Sequence, residues 1–143
     1  MTPAKPRLLA VDFGDTRTGL AATDWTGTIT VPLGKLTGLD DAALARKIAE
    51  LARERETQTI VLGMPLLDGA AGQRAQRTER FRAVLAAAVA PLPVVTVDES
   101  HSTDEAHELL RQGGIKAARR KQLADSTAAL VILQRYRAGL GPT

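Results

Sequence analysis

Apolar residues in this chain fall into short unbroken runs, separated by stretches where they recur every three or four positions. The first pattern predicts buried strands and the second predicts helices. Leu8-Leu9-Ala10-Val11 opens the chain's first run, and Asp12 stands where a fifth apolar residue would fit. We read a strand over 8–13, broken by Gly14, and a second over 19–24. The turn Asp24-Trp25-Thr26-Gly27 leads to a third over 28–33, and Pro32 places that strand at a sheet edge. Asp40 or Asp41 can cap a helix over 42–55, with Leu44, Ile48 and Leu51 on one stripe. Thr59 to Met64 is a continuous apolar run, as in a strand covered on both faces. A loop with Gly69 and Gly72 precedes a helix from Gln73 to Ala90, and a strand follows over 93–97. Ser102 or Thr103 can cap a helix running to Arg111, with Glu105 placed for a capping box. Residues 112–120 read as a mobile basic loop, and a final helix spans 121–137, ended by Gly139.

Three consecutive strands are followed by two that each arrive through a helix. Right-handed crossovers set those two parallel to the first strand and beside it. The expected fold is α/β and ribonuclease H-like: a five-stranded mixed sheet with helices on both faces, forming one domain over 1–143. Sites in open α/β sheets gather at the carboxyl ends of the parallel strands.

Carboxylates sit at those ends. Asp12 closes the first strand, and Asp98 and Glu99 close the last. Side chains alternate between sheet faces, so only one of Asp98 and Glu99 points with Val95 and Val97. Asp125 precedes Ala128, Ala129 and Ile132 by three, four and seven residues, which puts it on the stripe facing the sheet. Plainer roles exist for each: Asp12 as a cap of the turn at Gly14, Asp125 as a cap of its helix. Carboxylates from three separate elements repel one another, and divalent cations relieve that repulsion. Two hard ions, Mg²⁺ or Mn²⁺, suit all-oxygen ligands and an in-line phosphoryl displacement. The candidate metal ligands are Asp12, Asp98, Glu99 and Asp125. Zinc is excluded, since the chain has no cysteine and only His101 and His107.

Composition adjusts this picture in three places. An aromatic content of 3% against 44% hydrophobic demands a core of Ala, Val, Leu and Ile. The lack of cysteine fits a reducing cytoplasm, and no apolar stretch reaches membrane-spanning length. The net charge of +3 is modest, but it gathers in two runs: Arg74, Arg77, Arg80 and Arg82, then Lys116, Arg119, Arg120 and Lys121. Such runs are commonly solvated faces. Here Arg74, Arg77 and Arg80, with Lys116, Arg119 and Arg120, are placed to flank the acidic site as a phosphate-binding rim.

In combination these pieces resemble the YqgF/RuvX family of Holliday-junction-resolvase-like, pre-ribosomal-RNA nucleases. The likeness rests on Ala10-Val11-Asp12-Phe13-Gly14 with Arg17-Thr18-Gly19 and Thr23-Asp24, and on Val61 to Leu66 with Asp68-Gly69. Gln73 to Arg77 with Phe81, Val97-Asp98-Glu99, and Asp125 to Ala129 with Ile132 to Tyr136 complete it. The resemblance covers nearly the whole chain. It implies a ribonuclease H-like fold and a metal-dependent nuclease site at Asp12, Asp98 or Glu99, and Asp125. One departure stands out: Ser100-His101-Ser102-Thr103 follows the Asp-Glu pair, where the family has Arg-Leu-Thr-Thr. His101 or Arg17 is the candidate replacement for that phosphate contact.

The expected function is metal-dependent phosphodiester hydrolysis, with Asp12, Glu99 and Asp125 catalytic, in processing of the 5′ end of pre-16S ribosomal RNA. A branched-DNA resolvase and a non-catalytic nucleic-acid-binding module are the alternatives. A sugar-kinase-like ATPase would need a second copy of the domain. Four aromatic residues leave little for base stacking, which argues against sequence-specific single-strand reading. The expected partner is nucleic acid, RNA ahead of branched DNA, with no membrane contact and a homodimer left open.

Overall fold

The computed structural model describes residues 5–100, 108 and 117–139, with side chains of the last segment described from 126 onward. In chain order the elements are β1 (Leu8–Asp12), β2 (Arg17–Thr23), β3 (Thr30–Thr37), α1 (Asp41–Glu54), β4 (Thr59–Met64), α2 (Gln73–Val89), β5 (Val94–Asp98) and α3 (Ala117–Gly139). The sheet order is β3-β2-β1-β4-β5. β1 pairs antiparallel with β2 and parallel with β4, which pairs parallel with β5. This is the expected five-stranded mixed sheet, with Pro32 on its edge strand.

Alternation along the strands divides the core in two. Leu9, Val11, Leu20, Ala22, Ile60 and Leu62 face α1 and α2, meeting Leu44, Ile48, Phe81 and Leu85. Leu8, Ala10, Ala21 and Val61 face α3, meeting Ala129, Ile132 and Leu133. Each large side chain so buried contributes roughly 1.5–3 kcal/mol of transfer free energy. Small residues on the second face let α3 lie close to the sheet. Asp40 caps α1 as expected, its carboxylate accepting from the Ala43 N–H at 2.8 Å.

Several boundaries differ from expectation, each for a local reason. β3 begins at Thr30 because the Asp24 carboxylate organises the preceding turn. It accepts from the Thr26 hydroxyl at 2.7 Å and from the N–H groups of Thr26, Thr28 and Ile29. Gly27 supplies the left-handed backbone there, at φ +74°. A register shift between Leu20 and Ala21 then carries β3 on to Thr37. Val94, Val95 and Val97 of β5, expected in a buried strand, are only part-buried at the other sheet edge. Residues 117–120, expected in a loop, are the first turn of α3. Ala117 to Ala124 is made almost entirely of strong helix formers. Of the helix expected up to Arg111 only Glu108 is among the described residues, where it is helical; the rest of that segment, and Lys116, lie outside them.

Candidate active site

The face that carries the carboxylates is the one α3 covers. Leu8, Ala10 and Asp12 alternate onto that side of β1, while Phe13 turns to the α1–α2 side. On β5, Val95 and Val97 pack into the α3-side core, and Glu99 continues their parity. The Glu99 N–H still bonds the Met64 carbonyl at 3.0 Å, so the strand geometry persists for that residue.

Glu99 and Asp12 come from strands separated by β4. The two carboxyl groups can meet only across that strand, and the residue of β4 beneath them is Gly63. A Cβ at Gly63 would stand 2.6 Å from Glu99 Oε2 and 2.5 Å from Ile132 Cδ1. The missing side chain is the space in which the Glu99 carboxylate lies. A glycine inside an apolar strand run signals such a close approach, and this is the residue that reading the sequence overlooked.

Both Glu99 carboxyl oxygens are buried and have no hydrogen-bond donor. The group's neighbour is another acid, Asp12, which satisfies Glu99 only when one of the two carries a proton. Burial first, and Asp12 second, push the Glu99 carboxyl up to about 9. Arg74 acts in the opposite direction through its positive charge. A buried acid pair without a donor is stable only with a shared proton or a bound cation.

Asp98 has another occupation. Its Oδ1 accepts from the Ser100 hydroxyl at 2.7 Å and the Ser100 N–H at 2.9 Å. These bonds hold its carboxyl below the usual carboxylate range. It is exposed, on the opposite parity from Glu99. Arg135 of α3 fixes the same corner, donating to the carbonyls of Asp98 at 3.0 Å and Ser100 at 2.9 Å.

Asp125 lies in the backbone of α3, one turn before the buried Ala129, and its side chain lies outside the described residues. Its neighbour Ser126 pins the helix to the sheet. The Ser126 hydroxyl donates to the Leu20 carbonyl at 2.8 Å and accepts from the Gly34 N–H at 3.1 Å. That places the segment carrying Asp125 over β2 and β3, on the carboxylate face.

The expected phosphate rim divides. Arg74 is exposed on the first turn of α2, close enough to act on Glu99. Arg77 has become structural. Its guanidinium forks onto Asp41 of α1 at 2.7 and 2.9 Å and reaches Asp15 at 2.9 Å. It also lies 4.8 Å from the centre of the Phe13 ring, which stacks on Phe81 at 4.3 Å. Arg77 thereby anchors the residue that follows Asp12. Arg17 is exposed at the start of β2, on the same sheet end as Asp12. Lys116 and His101 lie outside the described residues, as do the side chains of Arg119 and Arg120. Among the described residues no three acidic or histidine side chains converge on one point.

A family model described as "RuvX: Holliday junction resolvase" matches residues 6–138. The chain belongs to the RuvX family. Curated relatives of this RuvX chain bear the name "Putative pre-16S rRNA nuclease". The one from Streptomyces coelicolor is 39% identical over 129 residues, 90% of this chain and 77% of that one. The one from Synechococcus sp. (strain JA-3-3Ab) is 40% identical over 129 residues, 90% and 80% of the two chains. Among solved structures, Thermus thermophilus RuvC in complex with a Holliday junction superposes with a TM-score of 0.60 at 17% identity, covering 95% of this chain and 96% of that one. The fowlpox virus resolvase bound to Holliday junction DNA also gives 0.60, at 10% identity, covering 95% and 99%. At such identities the likeness establishes the shared ribonuclease H-like fold.

Proposed function

We propose that this RuvX chain is a divalent-cation-dependent nuclease, one domain that hydrolyses phosphodiester bonds in precursor ribosomal RNA at the 5′ end of pre-16S rRNA. The observation that carries the reading is the Glu99 carboxylate, buried over Gly63 with no donor and with Asp12 as its neighbour. All-oxygen ligands of this kind fit Mg²⁺ or Mn²⁺. Asp12 and Glu99 would hold the cation, joined by Asp125 from α3. Asp98 is left out of the ligand set because Ser100 occupies it. Bound there, such cations would supply electrostatic stabilisation to an in-line phosphoryl displacement. The chain's own contribution is placement. Gly63 makes room for the carboxylate, Phe13 under Arg77 fixes the end of β1, and Arg74 brings positive charge to the substrate side. The name shared by the Streptomyces and Synechococcus relatives supports RNA over branched DNA.

The test sets RNA, linear DNA and a four-way junction side by side, with Mn²⁺, Mg²⁺ or EDTA. RNA is expected to be cut fastest, and EDTA to stop cleavage. Asp12→Asn should lower the rate at least about 10³-fold, equivalent to roughly 4 kcal/mol of barrier, while RNA binding persists. Near-wild-type cleavage by Asp12→Asn would overturn the metal site. Preferential cutting of the junction would overturn the RNA assignment.

A further inference from the structure

Between the β1–β2 turn and the first two turns of α2 lies a cleft of about 470 Å³, lined among others by Phe13, Gly14, Gln73, Arg74, Arg77 and Arg80. Its three arginines are spaced three apart in sequence and differ in what they do. Arg77 is spent, forked onto Asp41 and bonded to Asp15, with its flat face against Phe13. It cannot turn to a ligand without breaking that set. Arg74 and Arg80 are exposed, and among the described residues neither makes a hydrogen bond or salt bridge. Arg82, next along the helix, is paired with Glu79 at 2.6 Å. The chain thus neutralises Arg77 and Arg82 internally and leaves two guanidinium groups at one cleft.

The cleft's position gives those two charges a use. Arg74 lies close enough to the Asp12–Glu99 pair to act on Glu99 electrostatically. Arg80 is six residues further along α2, about 9 Å down the helix axis. The cleft opens at the sheet end that bears Asp12 and Glu99, although neither lines it, and the carboxylate in its wall, Asp15, is held by Arg77, so its unpaired charge is positive and has the layout of a track for a polyanionic strand.

We propose that this cleft is a backbone subsite in which Arg74 and Arg80 bind phosphodiester groups of the substrate strand flanking the scissile bond, with Arg77 as its fixed wall. The proposal rests on the nuclease reading for its substrate class, but it narrows the expected rim on α2 to Arg74 and Arg80 and removes Arg77 from it.

The test is fluorescence anisotropy of a labelled 12-nucleotide single-stranded RNA in EDTA, titrated with wild type, Arg74→Gln, Arg80→Gln, the double variant and Glu79→Gln between 50 and 200 mM NaCl. Each phosphate contact on a single strand contributes about 0.7 to the slope of log affinity against log salt. Each single arginine variant should lower the slope by about that amount and the double variant by about 1.4. Glu79→Gln, which removes no cleft cation, should not lower it. A double variant with the wild-type slope overturns the subsite. Circular dichroism melts coincident with wild type show that the exposed substitutions leave the fold intact. Cleavage by the same proteins in Mn²⁺ separates the two claims. A changed slope with no cleavage by wild type keeps the subsite and sinks the nuclease, whereas wild-type cleavage with an unchanged slope in the double variant does the reverse.

Discussion

Two acidic clusters begin within three residues of each other at the end of β1, at Asp12 and Asp15, and the fold treats them in opposite ways. Asp15 and Asp41 meet the guanidinium of Arg77, so every charge has an opposite within hydrogen-bond distance. Asp12 and Glu99 meet each other, and the buried Glu99 oxygens have no donor. The first cluster ties α1, α2 and the β1–β2 turn together and needs nothing from outside. The second holds like charges together through the sheet's hydrogen bonds and the packing of α3. Side by side they show that acids close together in the chain can be paired with one of its own cations or left buried without a donor.

The largest way to break this contrast is Gly63→Ala. One methyl group would take the space of the Glu99 carboxylate and press on Ile132. We expect roughly 100-fold slower cleavage, together with a loss of about 1–3 kcal/mol from overpacking, read from initial rates and urea midpoints. If the midpoint falls while the rate holds, Gly63 serves packing alone. Next is Arg77→Ala, which removes the closed cluster's cation. It should cost about 2 kcal/mol through lost charged hydrogen bonds and the contact with Phe13. An unchanged urea midpoint would show the network to be incidental.

A third test sharpens the comparison through pH. Glu99 binds its proton more tightly in the folded state, near pH 9, than at its ordinary value of 4.5. The folded protein therefore holds more protons than the unfolded chain between those values. Without metal, stability should be greatest at the acidic end and fall as pH rises through that window, by no more than ~1.4 kcal/mol per unit. Glu99→Gln should flatten this profile, whereas Arg77→Ala should shift it down without changing its shape. Melts from pH 5 to 9 in EDTA check both, and a flat wild-type profile would remove the acid pair as a destabilising element.

The strand order, the α/β class and the edge position of Pro32 were legible because they depend on short-range alternation and on handed crossovers. The contents of the site were legible by type. Asp12 and Glu99 stand at strand ends, where carboxylates are conspicuous. Alternation alone could not separate Glu99 from Asp98, because the covered face is decided by α3, which approaches from distant sequence. Nor could it distinguish Arg77 from Arg74 and Arg80. The partners of Arg77 are 36 and 62 residues away, beyond any helical period. Gly63 looked like part of an apolar run, since its meaning lies in what crosses above it.

The Ser126 hydroxyl joins α3 to Leu20 and Gly34 across 106 and 92 residues of chain. Closing loops of that length carries an entropy that grows only slowly with further length but must be met before either bond can form. The α3 seam is therefore the more non-local of the two faces, since Arg77 on the opposite face closes loops of 36 and 62 residues. A chain lacking residues 117–139 would retain the strands of its sheet and expose Ala10, Ala21 and Val61 to water. It would also lose Ile132 from beside Gly63 and Arg135 from the carbonyls of Asp98 and Ser100. The carboxylate face is built by the longest loop closures among the described residues, so its geometry is the part of the described fold most exposed to the cost of chain entropy.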